Sequence, residues 1–92
     1  MSHGAVKSFK RTTDGTIFTG RCRLYGIVLL GGSTAATVTV YDNTAASGSE
    51  LPGGKAAASD MGGWTTTAGI LCRNGVHVTV TGTGVEVHVL VG

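Results

Sequence analysis

Ninety-two residues with 16 glycines, one proline and only 5% aromatic side chains leave room for one domain and argue against helices. Charged residues are 13% of the chain and the net charge is +2, which does not suggest direct nucleic-acid binding. No apolar run is long enough to span a membrane, and the start, M-S-H-G-A-V-K, lacks the apolar centre of a secretion signal.

The charge is unevenly spread. Residues 1–23 hold Lys7, Lys10, Arg11, Arg21 and Arg23 against Asp14, a net +4, while the remainder carries −2. Such polarity can steer a molecule onto an acidic surface. Residues 1–13 read as a basic arm or edge strand with weak alternation at Val6 and Phe9, and residues 14–92 as a β-sandwich domain. Deleting residues 1–11 is expected to weaken attachment to such a surface while leaving the fold intact. Thr12-Thr13-Asp14-Gly15 is a turn, and residues 16–19 form a short strand ending at Gly20.

Residues 21–30, R-C-R-L-Y-G-I-V-L-L, are the most apolar run. Cys22, Leu24 and Gly26 face one way in its first half and Arg21, Arg23 and Tyr25 the other. The second half is apolar on both sides, as expected of a central strand covered by a second sheet and by a neighbouring subunit. Gly26 within a strand signals a bulge or a close backbone approach. Residues 36–42 alternate again, with Val38 and Val40 inward and Thr37, Thr39 and Tyr41 outward. Residues 49–51 read as a brief edge strand. Pro52-Gly53-Gly54 is then read as a turn, and residues 55–59 as a strand or single turn. Met61-Gly62-Gly63-Trp64 leads into a threonine-rich strand over 65–71, and Arg73-Asn74-Gly75 is another turn.

The last stretch, V-H-V-T-V-T-G-T-G-V-E-V-H-V-L-V (residues 76–91), alternates twice around Gly82-Thr83-Gly84. Period-2 alternation of β-branched residues is a strong strand signal. A turn at Gly82-Thr83 would close a hairpin with Val80 opposite Val85, Val78 opposite Val87 and His77 opposite His88. Seven to eight short strands with frequent turn signals predict an all-β protein, a small antiparallel β-sandwich or jelly roll closing on a C-terminal hairpin.

Cys22 and Cys72 match no metal-ligand or redox spacing and are read as reduced thiols filling core space, with a disulfide between them as the alternative. His77 and His88, joined by Glu86, are the one hint of a metal or pH-sensing site; the plainer reading places them on a polar sheet face. Trp64 and Tyr41 are ligand-stacking candidates for a carbohydrate, although such a Trp more often plugs the end of a small sandwich. Asp42, Glu50, Asp60 and Glu86 are all assigned to loops or outer faces, and no serine stands on a strand-to-helix elbow. No catalytic residue, cofactor or metal is therefore expected.

A chain this small buries little by itself, because each buried valine contributes only ~1.5–2 kcal/mol against roughly 1.5 kcal/mol for ordering each residue. The expectation is a homo-oligomer, a trimer first. Ile27, Leu29 and Leu90 are the candidate contacts between copies.

The segments L-Y-G-I-V-L-L-G-G-S-T-A-A-T-V-T-V-Y-D-N-T-A-A-S-G-S-E-L (residues 24–51) and G-I-L-C-R-N-G-V-H-V-T-V-T-G-T-G-V-E-V-H-V-L-V (residues 69–91) together resemble small β-sandwich proteins encoded among the structural genes of tailed bacteriophages. The resemblance covers about three-quarters of the chain and leaves most of residues 1–23 outside. It implies a virion component made in the host cytoplasm: a capsid decoration or cement protein, or a head or tail accessory. The implied partners are copies of itself and a major capsid or other virion protein, with Lys7, Lys10 and Arg11 as candidate capsid contacts. A carbohydrate- or receptor-binding knob on the virion is the alternative.

Overall fold

The alternating segments become eight strands in a computed structural model that describes residues 6–92. They are β1 (Lys7–Arg11), β2 (Gly15–Thr19), β3 (Cys22–Leu30), β4 (Ala36–Tyr41), β5 (Glu50–Ala56), β6 (Met61–Cys72), β7 (Gly75–Thr81) and β8 (Glu86–Val91). Sheet A has the order β1-β8-β3-β6 and sheet B the order β2-β7-β4-β5. Every strand pairing is antiparallel, and β1 pairs with β8, β2 with β7, β3 with β6 and β4 with β5. A long ribbon rolled up on itself produces this nesting, which is the jelly-roll arrangement of an all-β sandwich. Only the β4–β5 connection joins neighbours in one sheet; the others cross between sheets.

The core lies between the sheets. Leu24, Ile27, Leu29, Val87, Val89 and Val91 reach it from sheet A, and Val38, Val40, Val76 and Val78 from sheet B. The two valine runs of residues 76–91 do share this core, yet the closing hairpin is not formed. β7 pairs with β2 and β4, whereas β8 pairs with β1 and β3. The chain leaves sheet B after Thr81, bends through Gly82 (φ 128°) and Gly84 (φ 69°), and enters sheet A. Such positive φ values suit glycine. The bend is tied to the β3–β4 connection, with Ser33 N donating to Thr83 O at 3.1 Å and Thr83 N to Thr34 Oγ1 at 2.8 Å. Inward-facing valines line both inner faces of a sandwich, so alternation assigns the face but not the neighbouring strand.

Three other expectations are corrected. Pro52-Gly53-Gly54 is not a turn but the middle of β5, an edge strand whose register with β4 shifts between Val38 and Val40. Edges and bulges tolerate proline because no ladder bond is required of its nitrogen. Gly62, Gly63 and Trp64 already belong to β6, the longest strand. Of the two readings of the start, arm or edge strand, residues 7–11 take the edge strand, and it is integral to the fold: β1 pairs along its length with β8, and Phe9 packs against the core. Deleting residues 1–11 would therefore leave β8 paired on its β3 side alone and uncover core, against the expectation of an intact fold; of the expected arm, residues 1–5 lie outside the described residues.

The far end of the sandwich is held by Asp42. Its carboxylate accepts Arg73 N at 3.1 Å and Asn74 N at 2.9 Å, fastening the β6–β7 turn beneath β4. Partial burial pushes the Asp42 pKa up, but the N–H groups of Asn74, Arg73 and Gly75 and the Arg73 charge outweigh it and hold the carboxyl below its usual value.

Candidate functional site

The feature best suited to contact another molecule is the outward face of sheet A, and Gly26 determines which residues reach it. β3 begins with Cys22 and Leu24 inward, both buried. The register with both neighbours shifts between Leu24 and Gly26. A side chain at Gly26 would strike the Trp64 carbonyl, so the bulge the sequence signals occurs at a close backbone approach. The bulge inserts one residue and reverses the parity of the strand. Ile27 and Leu29 therefore point inward with no accessible surface, while Val28 and Leu30 face outward, half-buried.

Directly opposed residues of an antiparallel pair lie on the same face. Val28 is opposite His88 on one side and Gly63 on the other, Leu30 opposite Glu86 and Met61, and Gly26 opposite Leu90. The outward surface of sheet A thus brings together Val28, Leu30, Leu90 and the 64%-exposed Met61. An open groove of about 310 Å³ runs beside Val28, between Met61 and Thr65, where Gly63 contributes no side chain. Along the β1 side the apolar patch meets a polar border. Lys10 Nζ lies 3.1 Å from Glu86 Oε1, His88 Nε2 lies 3.6 Å from the same oxygen, and Ser8 Oγ lies 3.5 Å from His88 Nδ1.

Sheet B presents different chemistry. The register sets Thr37 against Thr81, Thr39 against Thr79 and Tyr41 against His77, all on the outward face. Thr16 Oγ1 reaches His77 Nδ1 at 3.0 Å and Thr44 O at 3.0 Å, and the Tyr41 and His77 rings lie 6.5 Å apart.

The candidates read from the sequence are therefore dispersed. His77 stands on the outer face of sheet B and His88 on that of sheet A, so the expected histidine pair does not exist. Among the described residues no three His, Cys, Asp or Glu side chains gather as metal ligands would. Trp64 is opposite the inward-facing Ile27 and packs against the core, its Nε1 donating to Pro52 O at 3.3 Å. It bridges the open edge between β6 and β5, the plugging role, and shares no face with Tyr41. Ile27 and Leu29 are core residues, and their place as candidate contacts passes to Val28 and Leu30. Leu90 lies on the outer face as expected.

The basic candidates also differ from one another. Arg11 turns into the β1–β2 connection, where Nη2 donates to Asp14 O at 2.7 Å and Nε to Thr13 O at 3.4 Å. Lys10 is paired with Glu86, and Lys7 is exposed. The sequence offered the two-sided run of residues 27–30 as a surface but pointed to Ile27 and Leu29 rather than Val28 and Leu30, and it did not single out Met61. Gly26 was the available signal, since a bulge there reverses every later side chain of the strand.

Compared with known proteins, the chain matches no family model, no curated protein and no solved structure.

Proposed function

We propose that this protein is a non-enzymatic structural component of a tailed-phage virion, a decoration or cement protein that self-associates and seats on the capsid. The observation that carries the reading is the outward face of sheet A, where Val28, Leu30, Met61 and Leu90 adjoin on an open sheet beside a charged border. A contiguous apolar patch rimmed by polar groups favours a protein contact over exposure to water. The jelly roll supports it by analogy of fold, since viral capsid domains are often built this way. The sequence resemblance to phage structural proteins points the same way. In this reading one copy covers the sheet A face of another, and Lys7 and its neighbours on the β1 edge meet acidic capsid surface.

The test is direct. Purified protein added to capsids lacking it should bind at a fixed stoichiometry and raise their resistance to heat and osmotic shock. Capsids that bind none, with virions lacking the protein equal to wild type under both stresses, would remove the proposal. The carbohydrate-binding alternative retains Tyr41 on the threonine-rich face but loses Trp64 as a platform partner. Glycan binding abolished by Tyr41→Ala would revive it.

A further inference from the structure

Cys22 and Cys72 are far apart in sequence, yet they are direct partners in the β3–β6 ladder. Both side chains point inward and are buried as free thiols, and Cys72 Sγ donates to Ile70 O at 3.5 Å. Opposed residues of an antiparallel pair hold their Cα atoms about 4.5–5.5 Å apart, inside the roughly 4.4–6.8 Å that a disulfide spans. We propose that these two cysteines are a latent intramolecular disulfide that staples the start of β3 to the end of β6.

The ladder itself shows where a staple would act. Beyond the Gly26 bulge only Cys22↔Cys72, Arg23↔Leu71 and Leu24↔Ile70 remain paired, and residues 66–69 of β6 lie unpaired before the ladder resumes at Thr65. This short segment leads into the turn fastened by Asp42. A covalent bond here would fix its register and close a loop of roughly fifty residues, restricting the unfolded chain strongly.

The surroundings keep the reduced pair quiet. Burial pushes both thiols up, and burial with the nearby Cys22 and Asp42 takes Cys72 to about 12. The reacting species is the thiolate, so the bond forms during folding or local opening and is then shielded. The oxidant is a small-molecule disulfide such as oxidised glutathione. Cys22, the more accessible of the two, loses its proton and attacks one glutathione sulfur, releasing one glutathione thiol. The Cys72 thiolate then attacks the Cys22 sulfur and displaces the second. The protein loses two hydrogens and two electrons, and one glutathione disulfide becomes two thiols.

The experiment refolds the full chain with oxidised glutathione or with dithiothreitol. Oxidised protein should be lighter by two hydrogen atoms, show no free thiol after denaturation, run as a single chain without reductant and melt at least ~8 °C higher. Two thiols persisting after refolding, a bond joining two chains, or an oxidised form that melts no higher would each overturn the proposal. The wild-type redox pair is the primary comparison. Where Cys22→Ala or Cys72→Ala folds, it should show neither mass loss nor thermal gain, and a gain in either would also overturn it.

Discussion

The outward face of sheet A carries Val28, Leu30, Met61 and Leu90, whereas that of sheet B carries Thr37, Thr39, Thr79 and Thr81 around Tyr41 and His77. Both sheets have four strands and face the same valine-rich core. The difference lies wholly on the sides turned away from it. Threonines on the β4–β7 pair satisfy their hydroxyls in water and tolerate exposure. Apolar residues on the β3–β8–β6 face gain by being covered, at about 25 cal/mol for each Å² removed from water. One protein thus presents a hydroxyl-rich outer face and an apolar one.

The sharpest way to probe this contrast begins within β3, between its two sides. Ile27→Ala should cost about 2–5 kcal/mol in urea unfolding, because it empties a fully buried site. Val28→Ala, one residue on but half-exposed, should cost less than ~1 kcal/mol in the isolated protomer. A larger loss for Val28→Ala than for Ile27→Ala would mean that the strand faces are assigned the wrong way round.

Between the sheets, Val28→Glu should weaken self-association at least about 100-fold by light scattering, since it buries an unpaired charge in the contact. Thr39→Glu on sheet B should leave the mass unchanged. If Thr39→Glu disrupts the proposed self-association and Val28→Glu does not, the roles of the two faces are reversed.

Asp42 belongs to neither face and serves as a reference for acid sensitivity. Its carboxyl is held below its unfolded value of ~3.9. The stability it contributes is therefore present above that pH and lost as pH falls through the folded pKa. Asp42→Asn should be less stable than wild type near neutral pH and converge with it in strong acid, as followed by thermal melts. The smallest effect is expected at the sheet A border. Lys10→Ala removes an exposed ion pair with Glu86 and should change stability by only about 0–1 kcal/mol, less at high salt.

Part of the site is legible in the order of residues alone. The outward placement of Leu90, the inward Val38 and Val40, and the bulge at Gly26 all follow from alternation and from glycine within a strand. The outward Val28 and Leu30 do not follow, because an unbroken period of two, carried past Gly26, keeps them on the same face as Leu24. Nor does spacing show that His77 and His88 lie on opposite outer faces, or that Trp64 spends its N–H on Pro52. Those outcomes depend on which strands become neighbours.

Local patterning was enough to establish an all-strand protein and the side chains of most strands that turn inward, since apolar alternation acts through local geometry and needs no knowledge of partners. The choice of partners belongs to the tertiary fold: β7 in one sheet, β8 in the other, and Cys22 beside Cys72. The physical reason is that the inner faces of both sheets bury the same kind of residue. An inward valine is equally satisfied beside its neighbour in sequence or across the core from it, and chain crossings such as the bend at Gly82 and Gly84 settle which occurs.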